Sequence, residues 1–313
     1  MTTYTNTDTN PDGVAAAAAG TWTLGGDTEI RRIGFGAMRL PQSGEALAAD
    51  AVPRDREQAV TVLRRAVELG VNHIDTAAFY FSPLRSANEL INRALAPYPD
   101  DLVIATKVGP GRDPSGEWLP HATARQLRGQ VEENLRQLGR DHLDVVNLRI
   151  VGDDPIAERF GALADLREAG LIRHLGISNV RPHHLAEASA IAPVVCVQNM
   201  YGLGVRPEDE EFVRECGQQG VAFVPFYSIA GPGRTAGAIG GTGVEEDAAV
   251  AAVARAHRAS PAQVRLAWTL HQGAHVLAIP GTGDPHHLDA NVAAGALRLS
   301  GDDLAALNSV HRS

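Results

Sequence analysis

The chain alternates short apolar runs with amphipathic segments eight times, and this alternation limits the fold more than any other feature. The apolar runs are continuous, as expected of strands that are buried on both faces of a parallel sheet. The segments between them have helical periodicity; residues 55–69, for example, repeat apolar side chains at helical spacing and end before Gly70. Eight strand–helix units in 313 residues predict an α/β fold, the (β/α)8 TIM barrel.

The predicted barrel occupies almost the whole chain. Its eight strands are predicted at residues 33–38, 71–74, 101–109, 143–148, 173–177, 193–197, 221–225 and 275–279. Two short runs at residues 22–24 and 29–31 flank a Gly-Gly-Asp turn, which predicts an N-terminal β-hairpin at the bottom of the barrel. No composition shift marks a second domain, so residues 21–313 are predicted to form one barrel domain. Residues 1–20, rich in Thr, Asn and Asp and then in Ala, are predicted to be a disordered tail.

Composition excludes several classes of partner. A net charge of −9 argues against binding to nucleic acid or to an anionic membrane. The two cysteines, Cys196 and Cys216, lack the spacing of metal ligands, and no metal site is predicted. No apolar run is long enough to span a bilayer, and the N-terminus lacks the parts of a signal peptide. We therefore expect a cytoplasmic protein, either a monomer or a small homo-oligomer.

Polar residues stand at the carboxyl ends of the predicted strands, where the active site of a (β/α)8 barrel lies. They are Asp75, Lys107, Arg149, Ser178, Asn179 and Gln198. Tyr80 lies in the loop five residues after Asp75. A nearby ammonium makes a phenol a stronger acid, and a carboxylate holds the ammonium charged and in place. An acid, an amine and a phenol at adjacent strand ends predict a proton-donating site; the alternative is a buried ion pair beside a surface tyrosine.

Two stretches that carry these residues resemble a known family. Residues 70–80 are GVNHIDTAAFY, and residues 101–109 are DLVIATKVG. They are similar to the aldo-keto reductase pattern GxxHIDTAxxYG, which is followed by a strand that ends in Lys. The resemblance implies an NADP-dependent carbonyl reductase that acts on a small-molecule carbonyl substrate. In such an enzyme Tyr80 would donate the proton, Lys107 would tune it and Asp75 would hold Lys107.

Further matches concern the nicotinamide end of the cofactor. The segments GLIRHLGISNV (170–180), VQNMYGL (197–203) and VPFYSIAG (224–231) resemble the family's GKIRxIGVSNF, its VQNxYSL and the stretch that contains its stacking aromatic. The residues implied to bind this end are Gly36, Met38, Asp75, Ser178, Asn179, Gln198 and Phe226. The alternative for Phe226 is a place in the barrel core. Gly231 opens a glycine-rich loop that would approach the pyrophosphate, or that is simply a flexible surface loop.

The adenosine end of the cofactor is implied by a motif near the C-terminus. VLAIPGTGDPHHLDANVAA (276–294) resembles the family's VIPIPGTxxxxHLxENLAA, which assigns Gly281, Thr282, His287 and Asn291 to the cofactor. Positions where many members place Lys or Arg for the 2′-phosphate carry Asp284 and His287 here. A carboxylate repels a phosphate, so NADPH is the expected cofactor while NADH stays open.

The end of the fourth strand departs from the family pattern. The run DVVNLRI places Arg149 where the family usually has a histidine. A guanidinium brings a permanent charge and a planar fork of donors, which can stabilise negative charge on a substrate oxygen. Arg149 is therefore predicted to join Asp75, Tyr80 and Lys107 as the fourth member of the catalytic set. The alternative is an arginine that points away from the site into a structural ion pair.

The combination of VNHIDTAxFY, PYPDDLVIATKVG and LDVVNLR narrows the resemblance to the bacterial pyridoxal reductase branch, which also lacks the histidine, and a pyridoxal-like aldehyde is the implied substrate. Residues 81–83, Phe-Ser-Pro, replace the glycine that usually follows the tyrosine and alter the rim of the pocket. Two alternatives stay open at this point. One is a biosynthetic reductase that acts on a C=C or C=N bond, and the other is a nicotinamide-binding regulatory subunit with vestigial catalysis.

Overall fold

The structure is a computed structural model that describes residues 15–44, 47–48, 50–229 and 247–312. Its strands are β1 Thr21–Leu24, β2 Thr28–Arg31, β3 Phe35–Gly36, β4 Gln42–Ser43, β5 Val52–Pro53, β6 His73–Asp75, β7 Phe81–Ser82, β8 Arg85–Ser86, β9 Val103–Val108, β10 Leu143–Arg149, β11 Ile172–Ser178, β12 Val194–Gln198 and β13 Ala222–Phe223. Its α-helices are α1 Arg56–Glu68, α2 Ala87–Leu95, α3 Ala124–Leu138, α4 Ala157–Glu168, α5 Pro182–Ser189, α6 Glu210–Gln218, α7 Ala248–His257, α8 Pro261–His271, α9 Pro285–Ala293 and α10 Gly301–His311. Short 3-10 helices cover Ala16–Ala19, Ala37–Arg39, Pro207–Asp209 and Ala294–Ala296.

Seven strands form one parallel sheet, in the order β3, β6, β9, β10, β11, β12 and β13. The segment at residues 275–280 closes this sheet, because Ala278 bridges to Ile33 on one side and Val276 bridges to Phe223 on the other. The amide of Leu277 donates to the carbonyl of Phe223 at 2.9 Å. The predicted (β/α)8 TIM barrel is confirmed. The eighth strand pairs with its neighbours only through single bridges among the described residues, one on each side.

Local sequence explains where the helices around the barrel begin. Helix α1 begins after Asp55, whose Oδ1 accepts a hydrogen bond from the amide of Gln58 at 2.8 Å. Helix α8 begins at Pro261 after Ser260, which forms a capping box. The predicted helices are present, with ends that differ by a few residues. The two short antiparallel pairs, β4 with β5 and β7 with β8, were not predicted.

The register of the sheet brings the polar strand ends to one rim. Lys107 pairs with Asn147, Arg149 pairs with Ser178, and Ser178 pairs with Gln198. Asp75 lies opposite Ala105, two residues before Lys107 on β9. Alternate residues of a strand point to the same face of the sheet, so Lys107 shares a face with Ala105 and with its neighbour Asp75. The side chains of Asp75 and Lys107 therefore both point into the barrel mouth, where they can meet.

The N-terminal hairpin closes the bottom of the barrel, as predicted. Leu24 and Ile30 are buried against Val103, Val145 and Leu277 from the barrel strands. A larger apolar cluster fills the space between the strands and the helices. Both cysteines are free and buried, and burial raises the pKa of each thiol to about 12, so they are neutral parts of the packing.

The end of the predicted tail is ordered. Ala16–Ala19 forms a 3-10 helix in which Ala16 is fully buried, and the amide of Ala16 donates to the carbonyl of Leu69 at 2.8 Å. Nη1 of Arg32 also donates to the carbonyl of Ala19. Disorder is therefore the wrong prediction for residues 15–20, because their small side chains let this turn pack closely on the barrel. Residues 1–14 lie outside the described residues. No described helix combines the length and apolar character needed to cross a bilayer.

Candidate active site

A buried ion pair joins the ends of β6 and β9. Nζ of Lys107 donates to Oδ1 of Asp75 at 2.6 Å, to Oδ2 of Asp75 at 2.7 Å and to the carbonyl of Thr76 at 3.0 Å. The two side chains are only 3% and 6% exposed. Burial opposes the charge on Lys107, but the pKa of Lys107 is raised, because Asp75 and then Tyr80 favour the ammonium. The amine is therefore held charged at the bottom of the site.

Tyr80 lies beside this ion pair. Nζ of Lys107 is 4.9 Å from the centroid of the Tyr80 ring, and the ring packs edge-on against Phe79. The turn that carries Tyr80 is fixed at both sides, since its amide donates to Ala77 and its carbonyl accepts from Ala87 at the start of α2. Tyr80 is buried, which does not fit the alternative of a surface tyrosine. The predicted acid, amine and phenol are together.

Gln198 belongs to the same cluster and carries an unused acceptor. Its Nε2 donates to Oδ2 of Asp75 at 2.8 Å. Its Oε1 is buried, and no described residue forms a hydrogen bond with it. An unpaired buried amide oxygen is costly, so its presence at the site marks a place for a donor from a ligand. The free carboxamide N–H of a nicotinamide is such a donor.

Arg149 faces the site from the end of β10. Its Nη1 donates to Oγ of Ser178 at 3.2 Å, and its Cζ lies 5.1 Å from the centroid of the Phe226 ring. These contacts do not fit the alternative in which Arg149 points away. Phe226 is half-buried at the rim and lies outside the apolar clusters, which disfavours the alternative of a core position. The loop after β9 packs against the end of β10 at Gly109. A Cβ on Gly109 would lie only 2.4 Å from the carbonyl oxygen of Arg149, so a larger residue does not fit there.

Asn179 forms the sharp turn that follows β11. Its φ of 60° is in the left-handed region, which asparagine tolerates better than most residues. Its Nδ2 donates to the carbonyl of Ile150 at 2.9 Å. Asn199, a residue absent from the predicted set, pairs with both the amide and the carbonyl of Val180. These bonds fix the strand end on which Ser178 is presented.

Gly36 and Gly281 meet where the barrel closes. A Cβ on Gly36 would lie 2.6 Å from the carbonyl of Ile279, and a Cβ on Gly281 would lie 2.5 Å from the carbonyl of Gly36. Both positions therefore require glycine for close backbone approach, whatever else they contact. Met38 lies in the following 3-10 helix and is half-buried.

The loop before α9 is the predicted contact for the adenosine end. Oγ1 of Thr282 accepts from the amide of Asp284, and Oδ1 of Asp284 accepts from the amide of His286 at 2.8 Å. The hydrogen bond from the His286 amide holds the pKa of Asp284 below its usual range. Asp284 is therefore an anionic cap of α9. His287 is exposed and Asn291 is buried in the same helix, whereas Gly231 lies outside the described residues.

A cation beside this loop was missed by the sequence reasoning. A Cβ on Gly283 would lie 2.2 Å from Cζ of Arg54, so the guanidinium rests directly on the loop. Burial lowers the pKa of Arg54 and the nearby Asp284 opposes that shift. No signal in the sequence connects residue 54 with residue 283, because the contact depends on how the first and last loops of the barrel meet.

Tyr227 and His121 are two further site neighbours that were missed. Tyr227 has a left-handed φ of 65° and packs edge-on against Phe226 at 5.1 Å. Burial raises the pKa of Tyr227, Tyr80 adds to the shift, and Arg149 opposes it, so these groups are electrostatic neighbours. Burial, with the charges of Arg159 and Arg149, lowers the pKa of His121. The signal for Tyr227 was its place directly after Phe226.

Among the described residues, one group of possible metal ligands lies apart from the ion pair, in the loop after β10 and the first turn of α5. The ligand atoms of Asp153, His183 and His184 are within 4.8 Å of one another. Nδ1 of His184 accepts from the amide of Arg181 at 3.0 Å, so a neutral His184 carries its proton on Nε2. Nε of Arg181 also binds Asp153. Both interactions compete with a metal ion.

Comparison with known proteins gives a consistent set of relatives. The model of the family described as Aldo/keto reductase family matches residues 32–312. The chain is 40% identical over 302 residues to pyridoxine 4-dehydrogenase of Escherichia coli, with 94% of this chain and 99% of that protein covered. It is 30% identical to methylglyoxal reductase of Escherichia coli, with 88% and 93% covered. A crystal structure of an aldo-keto reductase from Klebsiella pneumoniae in complex with NADPH superposes with a TM-score of 0.76 at 28% identity, covering 93% of this chain and 94% of that one.

Proposed function

Because the chain belongs to the aldo-keto reductase family, we propose that Tyr80 is the proton donor in the reduction of a pyridoxal-like aldehyde. The enzyme is an NAD(P)H-dependent oxidoreductase that acts on carbonyl groups, and NADPH is its cofactor. The observation that carries the assignment of Tyr80 is the position of Lys107. Its Nζ donates to both oxygens of Asp75 and lies 4.9 Å from the centroid of the Tyr80 ring.

The roles of the side chains follow from these contacts. The ammonium of Lys107 favours release of the phenolic proton of Tyr80 to the carbonyl oxygen. Asp75 is a positioning residue that keeps Lys107 charged and fixed. Arg149, at the end of the neighbouring strand β10, binds the developing negative charge on the substrate. No step in this scheme uses a metal ion.

The residues at the barrel mouth fit a nicotinamide. Oε1 of Gln198 is a buried acceptor that has no donor among the described residues. Ser178 pairs with Gln198 in the sheet and adds a second polar side chain, and Phe226 offers a ring face. When bound, NADPH supplies the hydride. The groups of this chain that orient the ring are therefore proposed to be Ser178, Asn179, Gln198 and Phe226, with Gly36 and Met38 at its edge.

At the other end of the cofactor, Gly281, Thr282, His287 and Asn291 are proposed to bind the adenosine phosphate, and Gly231 the pyrophosphate. Arg54 adds a positive charge close to Gly283, which supports binding of a phosphate in a loop that otherwise carries Asp284. A cytoplasmic location and a monomeric or small homo-oligomeric state stay predictions.

The substrate proposal rests on Arg149 and on one relative. Pyridoxine 4-dehydrogenase of Escherichia coli is 40% identical over nearly the whole chain. The pyridoxal ring carries a hydroxyl that ionises beside the aldehyde, and a guanidinium fork can bind two neighbouring oxygens at once. A side chain with a permanent charge at this rim is suited to such an aldehyde.

The test is Tyr80→Phe. We expect kcat for pyridoxal reduction to fall by about two to four orders of magnitude, the usual range for a lost general acid. Binding of NADPH, followed by protein fluorescence, should be unchanged. Tyr98→Phe is the matched control, because it removes a hydroxyl that donates to the carbonyl of Leu138 far from the ion pair. Full pyridoxal reduction by Tyr80→Phe would remove Tyr80 from the proposed role.

A further inference from the structure

The guanidinium of Arg149 rests on the same two groups that are proposed to hold the nicotinamide. Its Nη1 donates a hydrogen bond to Oγ of Ser178, and its Cζ lies over the ring of Phe226. The strand register pairs Arg149 directly with Ser178, and the bridge between Met200 and Phe226 fixes the backbone of Phe226. A planar group that covers the face of a ring excludes a second planar group from that face. Arg149 and a nicotinamide therefore compete for these partners.

We propose that cofactor binding moves the Arg149 guanidinium off Ser178 and Phe226, and that this movement creates the binding site for an anionic oxygen next to the substrate carbonyl. The inference rests on the proposed function, since it takes Ser178 and Phe226 as the nicotinamide contacts. The ligand class is an aromatic aldehyde with an ionised hydroxyl on the adjacent ring carbon. In the cofactor-free protein, Arg149 is held by its own chain and binds such an aldehyde poorly.

The surroundings of Arg149 leave its charge available to a ligand. Within the part of the chain that the structure describes, no ion pair joins Arg149 to a carboxylate. The nearest acid of the catalytic set, Asp75, is already bound by Lys107 and Gln198. Burial, and then the charges of Arg159 and Arg149, lower the pKa of His121. A half-buried guanidinium without a counter-ion gains most from a bidentate contact with an anion, and its cation–π contact with Phe226 replaces that anion only partly.

The proposal predicts thermodynamic coupling between cofactor and substrate. Freeing Arg149 should strengthen binding of an anionic aldehyde about tenfold, within the usual range for coupled sites, and the aldehyde should strengthen cofactor binding by the same factor. An aldehyde without the anionic oxygen should show less coupling. Any part of the coupling that comes from stacking on the nicotinamide is shared by both aldehydes and does not depend on Arg149.

The experiment measures Kd by calorimetry for pyridoxal and for 2-methoxybenzaldehyde, whose oxygen cannot ionise. Each is titrated into cofactor-free protein and into protein saturated with NADP+, which carries no hydride to transfer. For the wild type we expect NADP+ to tighten pyridoxal binding about tenfold more than binding of 2-methoxybenzaldehyde. In Arg149→Met this extra factor should disappear while NADP+ still binds.

A second variant, Phe226→Leu, removes the ring that holds the guanidinium in the cofactor-free protein. Pyridoxal should bind this cofactor-free variant more tightly than the cofactor-free wild type. The inference is overturned if NADP+ favours pyridoxal over 2-methoxybenzaldehyde by the same factor in the wild type and in Arg149→Met. It is also overturned if cofactor-free Phe226→Leu binds pyridoxal no more tightly than the cofactor-free wild type. If the wild type still reduces pyridoxal, the proposed function survives that outcome. Failure of the wild type to bind NADP+ would overturn both.

Discussion

The buried pair of Asp75 and Lys107 leads to a prediction in which stability and activity separate. The two side chains are 6% and 3% exposed, so removing one charge leaves the other buried without a counter-ion. In Asp75→Asn the ammonium of Lys107 still donates to the carbonyl of Thr76, and in Lys107→Met the carboxylate of Asp75 still accepts from Nε2 of Gln198. Breaking a buried pair in this way costs about 3–5 kcal/mol of unfolding free energy.

The melting temperature gives a convenient measure of this cost. At about 2.1 cal/mol/K per residue, the unfolding entropy of a chain of this length is about 0.66 kcal/mol/K, so each single variant should melt about 5–8 °C below the wild type. The double variant Asp75→Asn/Lys107→Met buries neither charge. Since replacing both partners of a buried pair is often close to neutral, the double variant should melt within about 3 °C of the wild type.

Activity should follow a different order. All three variants lack the charged amine or its correct position beside Tyr80, so kcat/KM for pyridoxal should fall by about a hundredfold or more in each. The assays are circular dichroism melts and initial rates at pH 7. The exposed pair Arg128 and Glu132, 3.3 Å apart, is the control, and its single variants should cost less than about 1 kcal/mol. If the double variant loses the sum of the two single losses, the two charges are not coupled and the reasoning is refuted.

Three other predictions concern single positions. Arg149→Lys should lower kcat/KM for pyridoxal about tenfold and leave a neutral aromatic aldehyde nearly unchanged, because an ammonium cannot make the paired contact; equal losses on both substrates would contradict this. Asp284→Ser, which keeps a helix cap, should tighten NADPH binding about threefold to tenfold relative to NADH in a fluorescence titration, and an unchanged ratio would show that the carboxylate does not face the phosphate. Burial lowers the pKa of His73 to about 4. Below about pH 6.5 the unfolded chain therefore takes up a proton at His73 while the folded chain does not. The unfolding free energy should fall by up to about 3 kcal/mol between pH 6.5 and 4. Denaturant titrations should show a smaller fall in His73→Phe, and an identical pH dependence would exclude His73 as its source.

Much of the fold follows from the sequence because its signals are local. Continuous apolar runs predict buried parallel strands, and a cap such as Ser260 before Pro261 fixes where a helix begins. The rule that polar strand ends share one rim brings Asp75 and Lys107 together before any distance is known. The short pairs β4–β5 and β7–β8 carry no such signal, since each spans two residues per strand and depends on the loop around it. The turn at Ala16–Ala19 packs through contacts with distant parts of the chain, such as the hydrogen bond from the amide of Ala16 to the carbonyl of Leu69.

The contacts inside the site are harder to predict, because several partners compete for each polar atom. The sequence resemblance assigns Gln198 to the cofactor, but it does not indicate that Nε2 of Gln198 also braces Asp75 while Oε1 stays available to a ligand. For Arg149, strand position predicts that it reaches the rim, but not that it folds back onto Ser178 and Phe226. The two residues differ in what they leave for a ligand. Oε1 of Gln198 is an acceptor that a ligand can use directly. The half-buried guanidinium of Arg149 has taken partners from its own chain, and those contacts are the ones a ligand has to replace.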